Sequence, residues 1–112
     1  MSMPLIPRRE LKFQLHDWLR VDALLHAPRF AAHSAETFDA VMDGCDRLAA
    51  EVFAPCYQAA DRDEPHFDGE NVSVHPQIAE AVRAFAVSGL VSATEDESVG
   101  GMQLPVVVEK AA

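Results

Sequence analysis

A chain of 112 residues, 49% of them apolar, is long enough for one compact unit with a core, and 18 acidic against 9 basic residues give a net charge of -9. That charge repels polyanions, and with Arg8-Arg9 the only adjacent basic pair there is no counterion-releasing stripe, so no nucleic acid and no anionic membrane is expected as a partner. No apolar run approaches the ~18 residues that span a bilayer, and in MSMPLIPRRE the charges follow the apolar patch, the reverse of a signal peptide, so the sequence predicts a cytoplasmic protein without a membrane span.

The chain opens with an extended lead marked by Pro4 and Pro7. In RRELKFQLHDWLR, Leu11, Leu15, Trp18 and Leu19 recur at i, i+4, i+7 and i+8, which predicts one apolar helical stripe. Val21, Ala23, Leu24 and Leu25 continue the apolar character to Pro28, where the residue before proline is pushed out of the α region and the chain turns. Ser34 is a good N-cap, with Glu36 and Asp39 near the positive end of the helix dipole. Behind it Phe38, Val41, Met42, Cys45, Leu48, Ala49, Val52 and Phe53 keep the 3.6 period, predicting a long amphipathic helix. Pro55 removes one hydrogen bond and crowds the carbonyl of Glu51, so a kink is expected there, with Cys56 and Tyr57 keeping the apolar phase and the helix persisting toward Ala60.

DRDEPHFDGENVSV, from Asp61 to Val74, reads as a surface loop able to pinch into a short β-ribbon, with Asp68-Gly69 at a tight turn. His75-Pro76 then starts a second helix with Ile78, Ala79, Val82, Phe85 and Ala86 on one face and Gly89 as a left-handed C-cap. Next comes LVSATEDESVGGMQLP, with three acids before a paired glycine. PVVVEKAA begins a last element whose three valines suit a strand as well as a helix.

The residue types that carry chemistry are sparse. Cys45 and Cys56 lie eleven residues apart on one helix, about 16 Å at 1.5 Å per residue, too far for a bridge that needs less than about 7 Å. They are expected to be small buried hydrophobes in a reducing compartment. None of His16, His26, His33, His66 and His75 is spaced at i, i+3 or i+4 from another His or Cys, so no metal site is predicted. His66 with Asp68 could share a proton or stand exposed, and His75 sits where an N-cap is expected. Ser88, Ser92 and Ser98 lack the G-x-S-x-G elbow of a serine hydrolase. Glu95, Asp96 and Glu97 offer either a general acid and base pair or a solvated turn, and side-chain geometry favours the turn. Gly100-Gly101 lacks the spacing and the lysine of a phosphate loop.

Taken in order, these words resemble the FAD-dependent acyl-CoA dehydrogenases, in the part that forms their N-terminal α-helical domain. The resemblance rests on the lead PRRELKFQLHDWLRVDALL, the long helix FDAVMDGCDRLAAEVFAPCYQAADRDE with its A-P step Ala54-Pro55, a helix ending in Ser88-Gly89-Leu90, and an acidic loop closing in Gly100-Gly101. The lead looks like the extension of a bacterial subgroup with long N-termini. The family's loop carries a proline and an aromatic residue before its two glycines, where this chain has Asp96, Glu97, Ser98 and Val99.

The resemblance implies an all-α, up-down bundle-like fold, incomplete at its C-terminal end: residues 1-33 an extension with a short amphipathic helix, residues 34-112 the truncated helical domain. Full-length members remove the α-proton of an acyl-CoA thioester, pass the β-hydride to FAD in α,β-dehydrogenation of the fatty-acid β-oxidation type, and reduce an electron-transferring flavoprotein. Their flavin sits mainly on a middle β-domain and a C-terminal helical domain, and the latter supplies the glutamate base. The chain is then expected to cover one side of the flavin/acyl-CoA cleft and to be inactive alone, with no catalytic, cofactor-binding or metal-binding residue of its own. Its partners are the missing domains, and Gly89, Gly100 and Gly101 form a structural turn near the cleft. Unmet packing should leave apolar surface on the two main helices. The rivals are an acidic helical adaptor binding a partner through a Met42 and Phe53 face and a small hydrolase using Glu95 and Glu97.

Overall fold

A computed structural model describes residues 5–112; the Pro4 part of the extended lead lies outside them. The chain is mostly helical, with one two-stranded ribbon, so the all-α expectation holds at the level of class. It is neither round nor tightly closed. A radius of gyration of 17.1 Å and extents of 54 × 38 × 17 Å exceed the ~13 Å radius of a compact chain of this length, which corrects the expectation of a compact unit. One buried cluster, Leu15, Val21, Phe38, Met42, Ala93, Leu104 and Val108, gathers residues from both ends of the sequence.

Helix α1 (Arg8–Lys12) runs directly into a π-helical turn over Phe13–Trp18, closed by the Leu19 amide donating to the Gln14 carbonyl at 2.8 Å. The wider turn rotates the following residues off the 3.6 period. Leu15 is therefore buried and Leu11 packs beside it, but Trp18 and Leu19, expected on the same stripe, are exposed. Arg20, left-handed at φ 52, ends the helix. Short 3-10 turns at Val21–His26 and Pro28–Phe30 follow, with Ala27 extended before the proline as anticipated.

Helix α2 (Ala35–Leu48) starts at Ser34 through a reciprocal cap: the Thr37 amide donates to Ser34 Oγ at 3.2 Å, and the Ser34 amide to Thr37 Oγ1 at 3.2 Å. It buries Phe38, Met42 and Cys45. The break in hydrogen bonding near Pro55 lies upstream of it, in a π-helical turn over Ala49–Phe53 where the Ala54 amide reaches back to Ala49. That turn takes up the misfit between the proline ring and the carbonyls one turn earlier. Helix α3 (Ala54–Arg62) then carries the chain two residues past Ala60. Cys56 stays buried, whereas Tyr57, expected in the same phase, is 76% exposed because the extra residue in the π turn has shifted the face.

Strands β1 (His66–Phe67) and β2 (Val72–Ser73) pair antiparallel around Gly69, whose φ of 103 suits a residue without Cβ. Helix α4 (Pro76–Val87) is capped by His75, whose Nδ1 accepts from the Gln77 amide at 3.2 Å. Its buried face is not the expected one. α4 packs on α3 and the π turn through the small Ala81, while Ala79, Val82, Phe85 and Ala86 are exposed and Ile78 half-buried. Close approach of two helices selects a small residue over the larger apolar ones. Exposed apolar surface is thus present on both main helices at Phe53, Tyr57, Val82, Phe85 and Val87. The last element is a helix, α5 (Val106–Ala111), rather than a strand: among the described residues no strand lies beside it to pair with, and Val108 packs fully buried against the core.

Candidate functional site

The sequence places Val41, Cys45, Leu48 and Val52 at i, i+4, i+7 and i+11, one stripe along α2 and its π turn. Opposite them stand Leu90 and Met102, and between lies an open apolar groove of about 510 Å³. Gly44, in mid-helix, lines the groove with nothing within 4 Å of where a Cβ would stand, so its missing side chain widens the space. Arg47, Glu51 and Ser88 are polar members of the lining. Cys45 lines the groove too, and burial pushes its thiol up from the ordinary value against the opposing pull of the Arg8 charge. The thiol form is the less nucleophilic one. Both cysteines are free and buried.

The glycines named from the sequence shape one side of this groove. Gly89, left-handed at φ 84, turns the chain out of α4 so that Ser88 and Leu90 both reach it. Gly100, at φ 86, reverses the acidic loop, and Gly101 fits flat on the backbone: a Cβ there would lie 2.1 Å from the Glu95 carbonyl oxygen. The Gly101 amide donates to the Asp96 carbonyl at 2.9 Å, and Gln103, itself at φ 53, donates its amide to the Glu95 carbonyl at 2.9 Å. Met102 is delivered to the groove by this turn, but Gly100 and Gly101 do not line it.

All three acids of the loop are exposed and without the burial that a general acid needs. The simple solvated turn nevertheless requires correction at Asp96, which pairs with Arg29 at 2.5 Å. The same guanidinium donates to the Thr94 carbonyl at 3.1 Å, and the Gln103 amide group donates to the Arg29 carbonyl at 2.7 Å, so the loop is stitched to the turn before α2. His33 adds a contact from its Nε2 to the Gln103 carbonyl at 2.9 Å.

Other sequence candidates come apart. The Asp68 carboxylate accepts the amides of Asn71 at 2.7 Å and Glu70 at 2.9 Å, which hold its carboxyl below the usual range; it works as a turn cap rather than as a partner of His66. Met42 is 3% exposed and belongs to the core, so of the Met42 and Phe53 face expected for an adaptor only Phe53, 39% exposed, stands at the surface. No group of three or more His, Cys, Asp or Glu is close enough to hold a metal among the described residues, and no helix of these residues is long and apolar enough to cross a membrane.

Sequence reasoning missed two features. One is the groove, whose signal was a glycine inside an otherwise strong helical pattern at position 44. The other is His16, whose ring lies between two carboxylates, Asp22 at 3.0 Å and Asp39 at 3.1 Å. Its signal was a register: Arg8, Lys12 and His16 recur every four residues, as do Asp39 and Asp43. No protein-family model and no curated protein matches the chain.

Proposed function

We propose that this chain forms the N-terminal helical part of an FAD-dependent acyl-CoA dehydrogenase of the β-oxidation type, working in the cytoplasm as one wall of the flavin/acyl-CoA cleft. The observation that carries the reading is the convergence of the resembling words on one groove. The long helix, the Ser88-Gly89-Leu90 step and the Met102 that follows Gly100-Gly101 surround the same apolar space of about 510 Å³. A wall of that character suits an apolar acyl chain.

The residues do not suit the flavin's pyrophosphate. Among the described residues Arg47 is the only cation in the groove lining, and it stands one turn from Glu51 in a chain of net charge -9. Flavin binding, the glutamate base and delivery of electrons to the electron-transferring flavoprotein are therefore assigned to the remaining domains, and no chemical step to residues 1-112. The part played by this chain is to exclude water and to offer apolar contact.

The test is to purify the protein, add FAD, record the visible spectrum, and assay dye-linked oxidation of acyl-CoA. Neither flavin nor turnover is expected from the chain alone; bound flavin with turnover overturns the assignment. Co-expression with an adjacent reading frame encoding a flavin-binding domain should yield a yellow, active complex. A gene flanked only by unrelated functions would favour an acidic helical interaction module instead.

A further inference from the structure

We propose that His16 is a proton-operated clip that fastens the N-terminal helix to α2. The argument starts from donor counting. Asp22, in the 3-10 segment that follows the helix, faces His16 Nδ1 at 3.0 Å, and Asp39, on α2, faces Nε2 at 3.1 Å. An ionised carboxylate only accepts hydrogen bonds, and a neutral imidazole has one N–H and one lone pair. The neutral ring can therefore satisfy one aspartate and must turn its lone pair toward the other. Only the imidazolium, a donor at both nitrogens, satisfies both together.

Position makes this choice matter. Arg8, Lys12 and His16 form a row on the N-terminal helix, and Asp43 and Asp39 form the facing row on α2, running the opposite way. Arg8 pairs with Asp43, Lys12 lies 3.6 Å from the second oxygen of Asp39, and His16 closes the row. The charged groups acting on the ring are thus Asp22 and Asp39, with Lys12 beyond Asp39 on its own helix. Of the three cations only histidine changes charge near neutral pH. The preceding residue in the chain, Leu15, is 3% exposed and sits in the core with Phe38 and Met42, so the clip closes directly over the apolar cluster.

Burial of the ring opposes its charge, but the hydrogen bonds and charges of Asp39 and Asp22 outweigh it and raise the folded value above the usual 6.5. The sign follows: a raised histidine contributes its full stabilisation below pH 6.5, and that contribution is lost as pH rises through the folded value. The N-terminal helix is held tightly in mild acid and released toward alkaline pH, uncovering Leu15 and its neighbours.

The experiment is an NMR titration of the intact chain, following the His16 ring nitrogens together with amide exchange at Leu15 and Leu19, corrected for intrinsic rates. His16 is expected to titrate above an unperturbed imidazole with both nitrogens protonated in its acid form. Protection of the two amides should fall severalfold across the same pH range in the wild type and be flat in His16→Gln. Titration at or below the ordinary histidine value overturns the clip, as does identical pH dependence in the two proteins. Should His16→Gln not fold, Asp22→Asn removes one of the two negative charges on the ring while leaving that of Asp39; it is expected to lower the His16 titration, and an unchanged titration overturns the proposal.

Discussion

The two ends of this molecule are built on different terms. At one end the N-terminal helix, the first half of α2, the loop through Ala93 and α5 bury Leu15, Val21, Phe38, Met42, Leu104 and Val108 almost completely. At the other, α3, the ribbon and α4 bury Cys56 and Ala81 and leave Tyr57, Phe67, Val82 and Val87 more than half exposed. Both ends have amphipathic sequences, so apolar patterning alone does not decide burial. What differs is closure: separate segments from both ends of the sequence meet around Phe38, whereas α3 and α4 pack on each other and on the π turn at Ala49–Phe53, with a solvated ribbon between them in the chain. Stability should reside at the first end, and available apolar surface at the second.

Substitutions at the closed end test this most severely. Phe38→Ala removes the largest fully buried side chain and should cost about 3–5 kcal/mol, enough to unfold a marginal chain; chemical denaturation monitored by circular dichroism would measure it. Gly101→Ala comes next. Its Cβ would meet the Glu95 carbonyl oxygen at 2.1 Å, and backbone there cannot swing aside as a side chain can. A loss of about 2–4 kcal/mol is expected, in the class of overpacking and strain. A Gly101→Ala protein that melts with the wild type would show that the loop is not stitched as described.

How much of this was legible in the sequence follows from the range of each interaction. Ser34, His75 and Gly89 were readable because caps depend on neighbours three or four residues away. The long helix was readable for the same reason, through its period. The π turns at Phe13–Trp18 and Ala49–Phe53 were not, and each moved an aromatic residue, Trp18 or Tyr57, out to solvent by altering the phase. The buried face of α4 depended on which side met α3, a tertiary choice that favoured Ala81 over Val82 and Phe85. The His16 clip was hidden for a further reason: its partners lie 6 and 23 residues away, and only the fold sets those carboxylates on opposite sides of one ring.

A smaller effect is expected at the start of α2. Ser34→Ala removes the acceptor of the Thr37 amide and half of the reciprocal cap, which should cost about 1 kcal/mol. Because α2 passes from the closed end into the open arm, amide exchange can locate the damage. Loss of protection confined to the first turn, around Thr37 and Phe38, is expected; loss spreading evenly to Cys56 would mean that the two ends are not separable.

The smallest effect on stability, and the sharpest test of the comparison, lies on α4. Val82 is 59% exposed and Val87 83%, so Val82→Ser with Val87→Ser gives up little packing. The change in unfolding free energy should stay within about 0.5 kcal/mol per site, as for surface positions in general. The same pair should clearly reduce binding of a hydrophobic-surface dye, because exposed apolar area, not core volume, is what the dye detects. A large drop in stability with dye binding unchanged would reverse the assignment of the two ends. A drop in dye binding at constant stability would locate the uncovered surface on α4, the helix whose last turn leads through Gly89 to the groove.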